Sequence, residues 1–175
     1  MAITIKGTGI VTTSDYKAVK WTGKTKGGKG VEISLPDAIN LSNIDLTMVE
    51  KDDSVAQLVF SAAYSNTDTM VSSDADYEEP WSIKYAGAES DTGAGTILLG
   101  AGVVSIGGVD VALTRGGSHF TVEREYREIN ADGDRGVVKD RVVMDGSRAT
   151  LTLNALSFIS KIPTMFPAIT ATTTT

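Results

Sequence analysis

The chain holds one histidine and no cysteine, so the chemistry its side chains can do is narrowly bounded. His119 has no serine or cysteine nucleophile to pair with, and a single imidazole on a strand is more simply a packing or surface residue than a general base. Asn130, Asp132 and Asp134 place oxygen side chains at alternate positions, as at the start of a calcium loop. Arg135 stands where that loop needs its turn glycine, and Arg141 where it needs its bidentate glutamate, so a turn held by Asx hydrogen bonds is the better reading. Asp74-Ala-Asp76-Tyr-Glu78-Glu79 reads as a solvated acidic loop. Thr22-Gly23-Lys24-Thr25 resembles the end of a phosphate-binding loop, but Ala18 occupies the position of its first glycine and no helix follows. Lys24, Lys26 and Lys29 share the loop Gly23–Gly30 without interleaved aromatics on which bases could stack. Gly93, Gly95, Gly100 and Gly102 do not match a dinucleotide fingerprint. With no convergent nucleophile, base or ligand set, a non-enzyme without metal or cofactor is expected.

Composition agrees with a structural role. A chain of 175 residues, 41% hydrophobic and 22% charged, can bury the core of one ordinary domain. A formal net charge of −6 disfavours general attraction to nucleic acid or anionic membrane. The longest apolar run, Thr96 to Ile106, is broken by Gly100 and Gly102 and is too short to span a bilayer. The start, Met1-Ala-Ile-Thr-Ile-Lys, lacks the features of a signal peptide, so a cytoplasmic origin is expected and the sequon Asn40-Leu41-Ser42 carries no weight.

Alternation with period two dominates, which predicts a mainly β protein. The expected strands are Ile3–Lys6, Tyr16–Thr22, Val31–Leu35, Ile44–Val49, Val55–Tyr64, Trp81–Tyr85, Val103–Ile106, Val109–Leu113, Ser118–Ile129, Val137–Met144 and Ala149–Phe158. Ile106-Gly107-Gly108-Val109 predicts a tight hairpin. Asp145-Gly146-Ser147 predicts another, pairing Val137–Met144 with Ala149–Phe158. Short helices are conceivable at Leu35–Leu41 and at Ser160–Phe166, where Pro163 permits only a first turn. Trp21, Trp81, Phe60 and Phe120 read as core anchors. The small, glycine-bearing stretch Ala86–Gly95 predicts a linker between halves 1–87 and 96–169, and 170–175 a mobile tail. Each half alone is near the lower size limit for a core, which favours one joint sandwich or barrel spanning 1–175.

The most distinctive segment is Gly116–Leu156. On a strand from Ser118 to Ile129, Phe120, Val122, Arg124, Tyr126 and Glu128 share one side, and Thr121, Glu123, Glu125 and Arg127 the other. Both faces become charged partway along, which predicts that the strand leaves the core and projects, as an assembly element would.

Val103–Gly117, Phe120–Gly136 and Ala149–Leu156 together resemble the tail tube proteins (major tail proteins) of long-tailed bacteriophages. Lys20-Trp-Thr-Gly-Lys-Thr25 and Asn43–Asp53 resemble another portion of the same family. The likeness covers most of the chain, as a pattern of hydrophobicity and charge. The part resembling 97–169 usually comes first and the part resembling 3–85 second. The order here is reversed, as in a circular permutant, with 88–95 joining an original end to an original beginning; the alternative is a natural lineage with this order.

The resemblance implies a β-sandwich or partly closed barrel with a short flanking helix. It further implies copies that form rings, commonly hexameric, stacked into a tube in the virion tail, built in the bacterial host cytoplasm. Partners would be further copies, other tail proteins, and DNA passing through the lumen without specific binding. On that basis Arg124, Glu125, Arg127, Glu128, Arg135, Lys139 and Arg141 are candidates for ion pairs between subunits. The loop Asn130–Gly136, with Asp132 and Asp134, is the candidate contact between rings. Two other classes stay open: a phage head or tail protein forming a closed oligomer, and a ligand-binding β-sandwich module.

Overall fold

The computed structural model describes residues 2–7, 9–44, 55–64, 79–88, 91, 93–129, 141–156 and 161–174. Its strands are β1 (Ala2–Gly7), β2 (Lys17–Thr25), β3 (Gly30–Asn40), β4 (Val55–Ala62), β5 (Ser82–Tyr85), β6 (Leu98–Ile106), β7 (Val109–Glu128), β8 (Val142–Leu156) and β9 (Ile169–Thr174). One short helix, α1 (Ile162–Met165), precedes β9 and has a proline in its first turn, where the missing N–H costs nothing. The fold is mainly β, as alternation predicts. No helix among the described residues is long and apolar enough to cross a membrane.

Antiparallel pairing runs β2-β6-β7-β8-β4-β3, and β3 pairs back onto β2, so six strands close a ring. The free edge of β3 is shared, because residues 31–34 take β5 and residues 38–40 take β4. Pro36 lies between these two pairings, where its missing N–H interrupts no ladder, and beside an irregularity in the β2–β3 register. The expected helix at Leu35–Leu41 is therefore wrong: tertiary pairing holds these residues extended through Asn40, with Leu35 and Ala38 buried.

The interior follows from the alternation. Val19 and Trp21 of β2, Ile33 and Leu35 of β3, Leu58 and Phe60 of β4, Val104 and Ile106 of β6, and Ala149, Leu151, Leu153 and Ala155 of β8 form one core with α1 below it. Trp21 takes its space from two glycines paired across β2 and β6, Gly23 and Gly102. A methyl group on Gly102 would lie 2.5 Å from the Trp21 indole nitrogen and 2.7 Å from the Thr22 carbonyl oxygen. Asn40, the sequon residue, is buried: its amide donates to the Met165 carbonyl at 2.8 Å and its oxygen accepts from Ser42, tying α1 to the end of β3.

Three further expectations fail. Asp145-Gly146-Ser147 makes no hairpin turn. It lies inside the continuous strand β8, whose partner is β7, and the register shift opposite Glu125 and Tyr126 leaves Asp145 as the extra residue of a bulge. The strands expected at Val109–Leu113 and Ser118–Ile129 are one strand, β7, with Gly117 at a φ of 102° in the irregular stretch between Thr114 and Ser118. Residues 170–174 do not dangle either: β9 pairs antiparallel with β1, with Ile5 and Ile169 packed on the core. Asp15 fastens this pair, its carboxylate accepting from the Thr12 and Ala168 backbone N–H groups at 2.7 and 3.1 Å. Those bonds hold its carboxyl below the ordinary carboxylate range. The glycine pair at 107–108 does turn as predicted, both residues having positive φ between β6 and β7. The strand expected at Ile44–Val49 falls outside the described residues after Ile44, and the one at Val137–Met144 before Arg141.

The crowding at the tryptophan gives a direct test. Gly102→Ala should lower stability by about 1–3 kcal/mol, because both Trp21 and the Thr22 backbone must shift. Urea unfolding followed by circular dichroism measures it; an unchanged midpoint would show that Trp21 can move freely.

Candidate assembly surface

β7 and β8 are longer than the barrel requires. β6 covers β7 only as far as Leu113, and β4 covers β8 only from Thr150 onward. Among the described residues, β7 from Val122 and β8 up to Ala149 therefore pair only with each other, continuing to Glu128 opposite Val142 and a final Ile129 N–H to Arg141 carbonyl bond at 2.8 Å. The result is a two-stranded arm. Six to eight extended residues reach about 20–27 Å.

Alternation along β7 is unbroken through the arm, because the bulge residue belongs to β8. The side facing the core at Phe120 and Val122 thus continues outward through Arg124, Tyr126 and Glu128, joined across the ladder by Met144 and Val142. Tyr126 is 60% exposed and Val142 48%. A core-type face runs out past the core it belongs to. The sequence pattern shows charge on both faces and does not reveal this apolar strip. Val142 and Met144 sit on a strand whose register follows from the bulge at Asp145 and not from the expected Asp-Gly turn.

At its base the arm is latched to the chain ahead of β5. Arg124 makes an ion pair with Glu79 at 3.3 Å and lies over the Trp81 ring, 5.9 Å from its centroid. Glu79 also accepts from the Trp81 indole N–H at 3.1 Å, and Trp81 meets Phe120 with centroids 5.6 Å apart. Trp81 and Phe120, expected as core anchors, are half-buried members of this latch, whereas Trp21 and Phe60 are core residues. Further out, Arg127 grips Asp145 with two hydrogen bonds of 2.8 and 3.1 Å. This fork raises the guanidinium pKa and lowers that of the Asp145 carboxyl, the shared hydrogen bonds being the main cause of both shifts.

The candidate residues thus separate. Arg124 and Arg127, expected to reach another subunit, have carboxylate partners within their own chain. Glu125 and Glu128 are exposed on the arm, on opposite faces. Arg141 is half-buried at the arm's end. Asp132, Asp134, Arg135 and Lys139, with the ring-contact loop Asn130–Gly136, lie outside the described residues. His119 is exposed on a strand, with Thr121 Oγ1 3.3 Å from its ring nitrogen. Elsewhere Tyr85 donates to Asp91 at 2.8 Å, and the Gly27 N–H donates to the Gly95 carbonyl at 2.9 Å, so the stretch read as a linker is hydrogen-bonded to the β2–β3 turn and the end of β5.

No protein-family model, curated protein or solved structure matches this chain.

Two outcomes are expected of the latch and the fork. Arg124→Ala should red-shift Trp81 emission and raise its quenching by acrylamide, while the buried Trp21 component stays constant; unchanged fluorescence would mean that Arg124 does not hold the indole. In an acid titration the Asp145 contribution, whose folded pKa is depressed, is present above the ordinary carboxylate range and is lost only as pH falls through the lowered value. The Asp145 carboxyl carbon shift and the arm amides, followed by NMR, should therefore hold steady through mildly acidic pH and change together below that range.

Proposed function

We propose that this chain is a structural subunit that assembles with copies of itself into stacked sixfold rings of the phage tail tube kind, a conduit through which DNA passes. The observation that carries this reading is the arm: a two-stranded ribbon that, among the described residues, has no further strand on either edge and whose strip of Tyr126, Met144 and Val142 continues the barrel interior into solvent. An isolated protein gains nothing from such a face and risks aggregation through it, whereas an assembling one uses it as its joint. The resemblance of β6–β8 and β2 to phage tail tube proteins supplies the kind of assembly. The net charge of −6 suits a lumen that lets phosphates pass without holding them. Pairing of β1 with β9 sets the two ends of the described chain side by side, the arrangement that a change of chain order needs.

On this reading the partners are further copies, other tail proteins and DNA in transit, with no membrane and no cofactor, and the place of work is the virion tail. Negative-stain electron microscopy across a concentration series, beside size-exclusion chromatography with light scattering, should show rings or tubes with a central hole at high concentration. Closed oligomers without stacking would point instead to another head or tail component. A monomer at every concentration, with no transient contact trapped by cross-linking, would overturn the self-assembly reading.

A further inference from the structure

Resting on that self-assembly reading, we propose that the arm of one copy docks in an apolar groove on the outer face of β2, β6 and β7 of the next copy. The groove has a volume of about 630 Å³ and is walled by Leu99, Val103, Leu113 and Leu156. Leu99 is 45% exposed and Leu113 59%. These side chains point away from the core, since they alternate with Gly102, Val104, Ala112 and Thr114, which face inward or are buried. Among the described residues, no convergent set of polar groups lies inside, as a small-molecule site would need for orientation. An apolar protein surface fits it better.

Charge selects the occupant. Lys24 and Arg115 stand at the groove's rim and are exposed. On the arm, Arg124 and Arg127 are engaged by Glu79 and Asp145, so the strip of Tyr126, Met144 and Val142 is offered beside the exposed Glu128, which shares its face. Donor and acceptor are thus apolar surfaces flanked by opposite charges.

The contact has to form between copies. Leu113 and Tyr126 lie on one strand, thirteen positions apart, which is up to about 44 Å of extended chain. The ladder from Ser118 to Glu128 keeps β7 on β8 throughout, so an arm cannot fold back onto its own groove. A donor at one end and an acceptor at the other give a joint that, engaged head to tail, repeats from copy to copy into a ring or a filament.

Tyr126→Asp disables the donor and Leu113→Asp the acceptor, and both positions are exposed enough for the fold to tolerate the change. Each variant alone should assemble only at concentrations raised by roughly tenfold or more. Mixed in equal amounts they should form a one-to-one complex, the intact arm of Leu113→Asp entering the intact groove of Tyr126→Asp, and grow no further. The chain has no cysteine, so Leu113→Cys mixed with Tyr126→Cys provides a second readout: oxidation should give a disulfide-linked heterodimer, and the double variant a ladder of covalent oligomers. A pairing of Ile83→Cys with Tyr126→Cys should give neither. If Leu113→Asp assembles like the unaltered chain, or the 113–126 pair cross-links no better than the 83–126 pair, the groove is not the acceptor while self-assembly stands. If the unaltered chain neither assembles nor cross-links, both ideas fall together.

Discussion

The pairing of β7 with β8 is the constraint on which the rest of the molecule depends. Its ladder runs from Thr114 opposite Ala155 to Glu128 opposite Val142, and one pair of strands thereby serves two environments. At the barrel end β8 contributes Ala149, Leu151, Leu153 and Ala155, all fully buried, and its other edge carries β4. At the outer end the same hydrogen bonds continue, among the described residues, without a third strand. Neither half can be shifted alone, because a slip of one residue in the register would turn the buried side chains of β8 outward. The core thus fixes which side chains the arm presents.

Rigidity at the arm's root follows from several weak contacts in one place. An exposed ion pair contributes little by itself, since water and salt screen it and two long side chains must be ordered. Glu79 shares its carboxylate between Arg124 and the Trp81 indole, and Trp81 in turn packs on Phe120, so charge, hydrogen bond and aromatic contact order the same groups once. The fork of Arg127 on Asp145 does the same for the bulge, holding in place the extra residue that β8 inserts between Met144 and Gly146.

Much of the barrel was legible in the sequence because alternation with period two is a direct print of burial in a sheet. Val55–Ala62 and Ala149–Leu156 could be read residue by residue. What was hidden depended on partners distant in sequence. Asp145-Gly146 has the local chemistry of a hairpin, and only pairing with Glu125 and Tyr126, some twenty positions earlier, makes it a bulge. Pro36 signals a break, yet falls in the gap between two neighbours on β3. The threonines at 170–174 carry no burial signal of their own and are ordered by β1, at the opposite end of the chain. For the surface, the charges of the arm could be read but not whom they serve: sequence names Arg124 and Arg127, and only the fold brings Glu79 and Asp145 to them.

An open-edged ribbon with an apolar face is a hazard unless its promiscuity is limited, and the arm is limited in two ways. Its outer face carries Glu123, Glu125 and Arg127, so a second ribbon stacking there would have to strip water from these charges. The bulge at Asp145 breaks the regular ladder, increases the local twist and spoils the flat edge that unlimited strand addition requires. The core-side face keeps only a narrow strip at Tyr126, Met144 and Val142, bordered by Glu128. A surface so arranged rejects its own kind edge to edge while remaining able to enter an apolar groove with a basic rim. Selectivity of that sort comes as much from the contacts made unfavourable as from those made good.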